Sequence, residues 1–335
     1  MKIGQNRRKP KISLSIQLFI WSSRKFLVSL YRVINYNDMI KKTAKTEQML
    51  EILRQNFTDE DYKEYILGNL KMKDVYEKYE VNQNAMDYFF AEKGYVKRST
   101  LRKENIKIDI FNPVNTPEAA YILGFYIADG CSSGNKFVIT LNEKDKDILE
   151  KIRDYMSPIT KLIYRPERVN KQGIISHPMY TFAFACKNII EDLERLGLGK
   201  NKTYLSKSIK NVVPKELMWD FIRGYWDGDG CISSSNVTKN VKETSYNYIN
   251  IGFTIISKDP DILNEMNEFF MEEGINTHVY PDNKGNYLVG THSKSEVEKI
   301  YNKLYTSSNL FMERNIKIIH TTNEPDNHIF ISDKI

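Results

Sequence analysis

The sequence predicts an α+β chain. Two fused, pseudo-symmetric copies of an αββαββα unit follow a small all-α module. Three observations predict it. A string ending in Asp-Gly occurs twice, with its last Asp at Asp129 and again at Asp229, 100 residues on. Each occurrence precedes the same order of strand-like and helix-like stretches, as an internal duplication requires. The region ahead of the first string reads as a run of short, capped helices.

Composition bounds the alternatives. A chain of 335 residues suggests two or three units and, at 41% hydrophobic, is not a disordered one. Its three cysteines, Cys131, Cys186 and Cys231, are too few for a disulfide framework and lack C-x-x-C spacing. An intracellular setting follows, in whichever compartment holds the partner. The net charge of +6 is concentrated: residues 1–45 hold 11 Lys/Arg and one acid, leaving the other 290 residues at −4. A polyanion site in the body must therefore come from local patches. Residues 1–45 read as a basic, poorly ordered tail. The apolar run 12–22 is broken by Arg24 and Lys25 and is shorter than the ~20 residues of a membrane span, so no stable membrane association is expected.

Residues 46–110 form the helical module. Residues 46–56 carry Met49, Leu50, Ile52 and Leu53 on one side. Thr58 is an N-cap for residues 59–70, with Asp59, Glu60 and Asp61 in the first turn. A short helix over 73–80 breaks at Val81-Asn82, and Asn82 caps residues 83–93, which Gly94 ends. Helix, short turn, helix is helix-turn-helix spacing, whose second helix presents its first residues to the major groove. Those residues are Gln83, Asn84, Asp87 and Tyr88, and Gln and Asn suit pairing with adenine. Lys93, Lys97, Arg98, Arg102, Lys103 and Lys107 follow as phosphate-binding candidates. A three-helix bundle without a ligand is the alternative, and the acidic Asp87 speaks for it. Residues 111–117, with two prolines and two asparagines, read as a linker.

The first Asp-Gly string is Tyr121-Ile-Leu-Gly-Phe-Tyr-Ile-Ala-Asp-Gly130. Thr116 and Pro117 look like N-cap and N1, and the run after them is apolar enough to be buried nearly all round. A carboxylate at the C-terminal end of a helix meets the negative end of its dipole, so a bound cation is the natural compensation. The second string is Phe221-Ile-Arg-Gly-Tyr-Trp-Asp-Gly-Asp-Gly230. Lys144-Asp-Lys-Asp-Ile-Leu149 recurs as Lys258-Asp-Pro-Asp-Ile-Leu263, and Lys187 and Lys294 each follow a strand-like stretch. The copies divide as 113–212 and 213–335.

These two strings resemble the motif that names the LAGLIDADG, or DOD-type, homing endonucleases, read as residues 122–130 and 222–230. The resemblance covers about residues 113–335 and is of the two-motif, single-chain type. It implies that the motif helices pack at a pseudo-twofold axis, with Gly124 and Gly224 at the contact. It implies that Asp129 and Asp229 are catalytic and hold divalent metal, Mg²⁺ with Mn²⁺ as the alternative, and no small-molecule cofactor. It further implies a monomer whose two sheets form a saddle on double-stranded DNA, hydrolysing phosphodiester bonds at a long, non-palindromic target, as mobile introns use. Lys187 and Lys294 are the candidates for auxiliary catalytic lysines; Lys144 and Lys258 read as helix starts or phosphate contacts. Strand and loop candidates for DNA contact are Ser132, Ser133, Asn135, Lys136, Arg165, Arg168, Lys171, Ser233, Ser234, Asn236 and Lys239. The first copy has Ile127 where the second keeps Asp227, so that position is not expected to bind metal in either half. The alternative function is a cleavage-inactive protein of this fold, a DNA-binding regulator or intron RNA maturase.

Overall fold

The computed structural model describes residues 43–169, 173, 175–198, 208–241, 244–306, 308–316, 320–321 and 329–330. The tail expected over residues 1–45 therefore lies almost wholly outside the described residues, as does Lys171. The chain divides into two compact units, Met1–Glu104 and Asn105–Ile335.

In the smaller unit, helix α1 (Ala44–Asn56) is capped by Thr43. Helix α2 (Asp59–Leu67) starts in a capping box: the Thr58 hydroxyl accepts from the Asp61 N–H, and Asp61 accepts from the Thr58 N–H. It stops three residues short of the expected end because Gly68 takes the left-handed conformation at φ +83°. Helices α3 (Met72–Tyr79) and α4 (Gln83–Lys93) are separated by three residues, with Glu80 left-handed and Asn82 capping α4. Helix α5 (Arg98–Glu104) was not evident in the sequence, where its lysines and arginines read as a charge cluster. Leu50, Leu53, Val75, Val81, Phe89 and Phe90 close the core of this unit.

The larger unit opens on residues that looked like a linker but are packed: Phe111 and Val114 are buried, and Arg195 donates to the Phe111 carbonyl. Helix α6 (Pro117–Asp129) leads directly into β1 (Gly130–Ser133) and β2 (Lys136–Asn142). Then come α7 (Lys146–Met156), β3 (Ile163–Arg165), a small outlying hairpin β4 (Arg168–Val169) with β5 (Ile175–Ser176), β6 (Met179–Ala185) and α8 (Lys187–Arg195). The second copy runs α9 (Met218–Asp229), β7 (Gly230–Val241), β8 (Thr244–Ser257), α10 (Pro260–Glu272), β9 (His278–Pro281), β10 (Tyr287–Thr291) and α11 (Lys294–Tyr305). A short α12 (Glu313–Ile316) and the strand pair β11 (His320–Thr321) and β12 (Ile329–Phe330) follow. The sheets have the same antiparallel order, β1-β2-β6-β3 and β7-β8-β10-β9, so the expected αββαββα pattern holds in both copies. Strand alternation sets their faces. Phe137, Ile139 and Leu141 on β2, and Ile251, Phe253 and Ile255 on β8, are buried in one core that also holds α6 and α9.

Candidate catalytic and nucleic-acid site

The two motif helices meet glycine to glycine. A methyl group at Gly124 would overlap the carbonyl oxygen of Phe221, and one at Gly224 would overlap that of Tyr121. Only glycine lets the backbones approach this closely. The contact continues to the helix ends. A Cβ at Gly228 would lie 3.1 Å from Asp129 Oδ2, so the Asp129 carboxylate rests against the residue that precedes Asp229. The glycine after each Asp is not a turn. Gly130 and Gly230 are extended, at φ −81° and −97°, and each begins a strand. Glycine is needed there for space, because the rings of Tyr126 and Trp226 occupy the place of a Cβ. Asp129 is exposed and Asp229 half-buried. The Asp229 charge is felt by Tyr225, whose hydroxyl burial already pushes well above its usual range.

The donor set fits a hard divalent cation only in part. Among the described residues no group of three or more His, Cys, Asp or Glu side chains could cage a metal. Two carboxylates at the helix ends could hold Mg²⁺ if water and a phosphate oxygen complete its six oxygens. The other acid of the second motif is committed elsewhere. Asp227 is 1% exposed and accepts from the Tyr121 hydroxyl (2.7 Å), the Tyr305 hydroxyl (2.7 Å), Asn315 Nδ2 (2.7 Å) and the Met312 N–H (2.8 Å). Burial raises its carboxyl despite these donors. Arg223, one turn earlier and also buried, donates to the carbonyls of Leu304 and Leu310 and to Asp220. Together they fasten the segment after α11 to the motif helices. The first copy has Leu123 and Ile127 at these places.

The register places the expected lysines relative to the row in which each motif helix ends. Gly130, Ile139 and Phe182 share a row, and β6 runs from that row away from Asp129; Lys187 is five residues along, roughly 17 Å. Gly230, Ile255 and Val289 share the equivalent row, and Lys294 is likewise five residues beyond it. Lys187 is also exposed and ion-paired with Glu191 at 2.9 Å. Strands β2 and β8 run the opposite way through these rows, and the exposed Lys144 and Lys258 lie five residues beyond Ile139 and three beyond Ile255.

The remaining candidates divide by face. Cys131 and Ser133 are exposed, and Ser133 pairs with the exposed Lys136 across a two-residue turn. Ser132 pairs with the buried Phe137 and hydrogen-bonds the Tyr126 hydroxyl, so it turns inward rather than to a ligand. Arg165 and Arg168 are exposed, as are Ser233 and Ser234; Asn236 and Lys239 lie on β7 and are described in backbone only. Residues the sequence did not flag share the open face: Thr254 and His278 lie in the row of Cys231. The His292 ring and Ser233 Oγ converge over Gly252, where a Cβ would meet them at 2.7 and 2.8 Å. No spacing in the sequence links these three.

In the smaller unit Gln83 and Asn84 are exposed at the start of α4. Tyr88 is 7% exposed and belongs to the core, so it does not present itself to a base. Lys97 pairs with Asp87 at 2.7 Å, which neutralises the acid on this helix. The Arg98 guanidinium lies over Gly68.

Residues 216–305 match the family model described as LAGLIDADG-like domain. This match places the second copy in the class of LAGLIDADG-like domains, and the first copy repeats its order of motif helix and sheet. It is 29% identical over 143 residues to the DNA-directed RNA polymerase subunit Rpo1C of Methanocaldococcus jannaschii, which covers 42% of this chain and 15% of that protein. It is 24% identical over 177 residues to the Replication factor C small subunit of the same organism, covering 50% and 9%. The chain thus spans less than a sixth of the length of these curated relatives. Similar solved structures include the LAGLIDADG meganuclease I-AabMI bound to uncleaved DNA, at 16% identity, TM-score 0.41, 61% of this chain and 87% of that one. Mesophilic variants of the homing endonuclease I-DmoI match at 16% identity and TM-score 0.38, over 57% and 97%. The N-terminal LAGLIDADG domain of DUF199/WhiA matches at 12% and 0.36, over 66% and 98%. Among the described residues no helix is long and apolar enough to cross a membrane.

Proposed function

We propose that the chain is a divalent-metal-dependent, site-specific endonuclease for double-stranded DNA, acting as a monomer on a long non-palindromic target. The observation that carries this reading is the placement of Asp129 against Gly228, beside Asp229, at the ends of two glycine-packed helices. Two neighbouring carboxylates resist joint ionisation, and a cation between them removes that penalty. A bound Mg²⁺, or Mn²⁺ in its place, would supply Lewis acidity towards the phosphodiester and its attacking water. Asp129 and Asp229 would fix the geometry of that site, because the helix contact leaves them little freedom. Lys187 and Lys294, or Lys144 and Lys258, would supply the positive charge beside the strand being cut. The open faces of the two sheets would bind the grooves on either side. The α3–α4 pair would add a second, smaller DNA contact through Gln83 and Asn84.

The test is cleavage by the purified full chain of a plasmid library carrying the DNA that flanks its gene. The expected result is one Mg²⁺-dependent cut site, lost with a chelator and restored by Mg²⁺. Asp129→Asn and Asp229→Asn should each abolish cutting while leaving the gel shift on that site. If no library member is cut under any metal or salt condition, the endonuclease reading fails. Specific DNA or RNA binding by a wild-type chain that cuts nothing would favour a regulator or maturase instead.

A further inference from the structure

The segment after α11 belongs to the second copy but is fastened to both. Asp220, Arg223 and Asp227 stand at i, i+3 and i+7 on α9 and so form one stripe of that helix. Arg223 holds the carbonyls of Leu304 and Leu310, and Asp227 holds the Met312 N–H and Asn315 Nδ2. Leu310 and Met312 are buried between these grips. The same segment then reaches the first copy. Glu313 pairs with Lys151 at 3.1 Å, Lys151 Nζ lies 4.5 Å from the centre of the Phe311 ring, and Arg314 pairs with Asp145 at 3.2 Å, at the start of α7. Tyr121 of the first motif helix donates to the Asp227 carboxylate as well. Asp227 is therefore the point where both motif helices and this strap meet.

We infer that the strap is a positioning device for Asp229, with Asp227 as its anchor. This inference rests on the endonuclease reading. Two residues along a helix are roughly 200° apart around its axis, so Asp227 and Asp229 leave α9 on nearly opposite sides. Fixing the first on the packed side fixes the direction in which the second leaves. Helix α9 ends at Asp229, so no further helical turn holds that residue. The hydrogen bonds to Asp227, at 2.7–2.8 Å, hold the last turn instead. In the first copy Leu123 and Ile127 stand at the places of Arg223 and Asp227, and neither side chain has a hydrogen-bonding atom. Apolar packing sets no bond direction, so these two positions cannot pin the first helix end in the same way. Asp229 is thus the preset member of the acidic pair, and the exposed Asp129 rests against the residue before it.

The experiment uses the chain's own cysteines. Cys131 and Cys231 each lie two residues beyond one of the acids and are exposed, whereas Cys186 is buried. Nitroxide labels on the exposed pair report the separation of the two helix ends by pulsed electron paramagnetic resonance, without metal or DNA. The wild-type full chain should give one narrow distance distribution. Tyr305→Phe with Asn315→Ala removes two donors to Asp227 and leaves the enclosed two in place. That distribution should then shift or broaden, and Mn²⁺ affinity should fall on the order of tenfold, as for loss of a group that orients a metal ligand. Asp227→Asn, which can keep the donors, should retain the wild-type distribution. Ile262→Val, a core truncation in α10, should move neither readout. An unchanged distribution in the double variant overturns the inference, and so does an equal change in Ile262→Val. Tyr305→Phe alone keeps the ring and carries the test if the double variant does not fold. A wild-type chain that cuts no DNA sinks the endonuclease reading, whereas the label distances are read without cleavage, so the two failures stay apart.

Discussion

Asp227 is where a single atom group holds the most structure. Asp227→Ala would strand four donors: the Tyr121 and Tyr305 hydroxyls, the Met312 N–H and Asn315 Nδ2. A buried donor left without a partner costs about 1–3 kcal/mol. Tyr305 and Asn315 are half-buried and can turn towards water, whereas Tyr121 and Met312 are at most 1% exposed. The two enclosed donors alone therefore predict a loss of about 2–6 kcal/mol, against a total stability of about 5–15 kcal/mol. Asp227→Asn should be far milder, about 1 kcal/mol. Its carbonyl can keep Met312 and Tyr121, and its amide can donate to the Tyr305 hydroxyl and to a flipped Asn315. Urea unfolding of the full chain, followed by the fluorescence of Trp219 and Trp226, compares the two. If Ala lies within 0.5 kcal/mol of wild type, or Asn is as damaging as Ala, the network does not carry the energy assigned to it.

Further outcomes follow from the same geometry. Gly224→Ala should cost about 1–3 kcal/mol or more and lower cleavage with it, since the new methyl meets backbone rather than a movable side chain; a melt and a cleavage assay on one preparation check this. In the smaller unit, burial works against the Asp61 charge, but the Thr58 N–H and hydroxyl outweigh it and hold the carboxyl below its usual range. A depressed carboxylate contributes stability above its unfolded pKa, near 3.9, and loses it as pH falls through the folded value. Thr58→Ala should cost about 1 kcal/mol at pH 7 and flatten this acid-side loss, as thermal melts from pH 6 to 3 would record. Lys187→Ala with Lys294→Ala and Lys144→Ala with Lys258→Ala separate the two lysine pairs: the pair that serves the scissile phosphate should slow single-turnover cleavage on the order of tenfold or more, and the other should leave it within about twofold.

Much of the architecture was legible before any coordinates. The duplicated Asp-Gly strings located α6 and α9, because a buried helix is written as an apolar run between a cap and a breaker. Thr58, Asn82, Gly94 and Thr116 marked helix ends because capping is local chemistry. The strand order repeated because each copy repeats its pattern of alternation. Helix α5 was missed because its packing residue, Leu101, is one apolar position among basic ones.

What a sequence determines by itself is whatever depends on near neighbours along the chain: caps, periodicity, the doubled unit and the two aspartates. Which groups meet across the chain is decided by tertiary structure, because strand register and helix contact are set by distant partners. Register sent Lys187 and Lys144 to opposite ends of the first sheet, and Lys294 and Lys258 to opposite ends of the second. Packing turned Ser132 and Tyr88 inward. The glycine contact carried Asp129 to Gly228, and burial gave Asp227 four donors from three separate segments. No spacing in the sequence records those distances, since each is fixed by a close-packed interior in which a side chain takes the one place its neighbours leave.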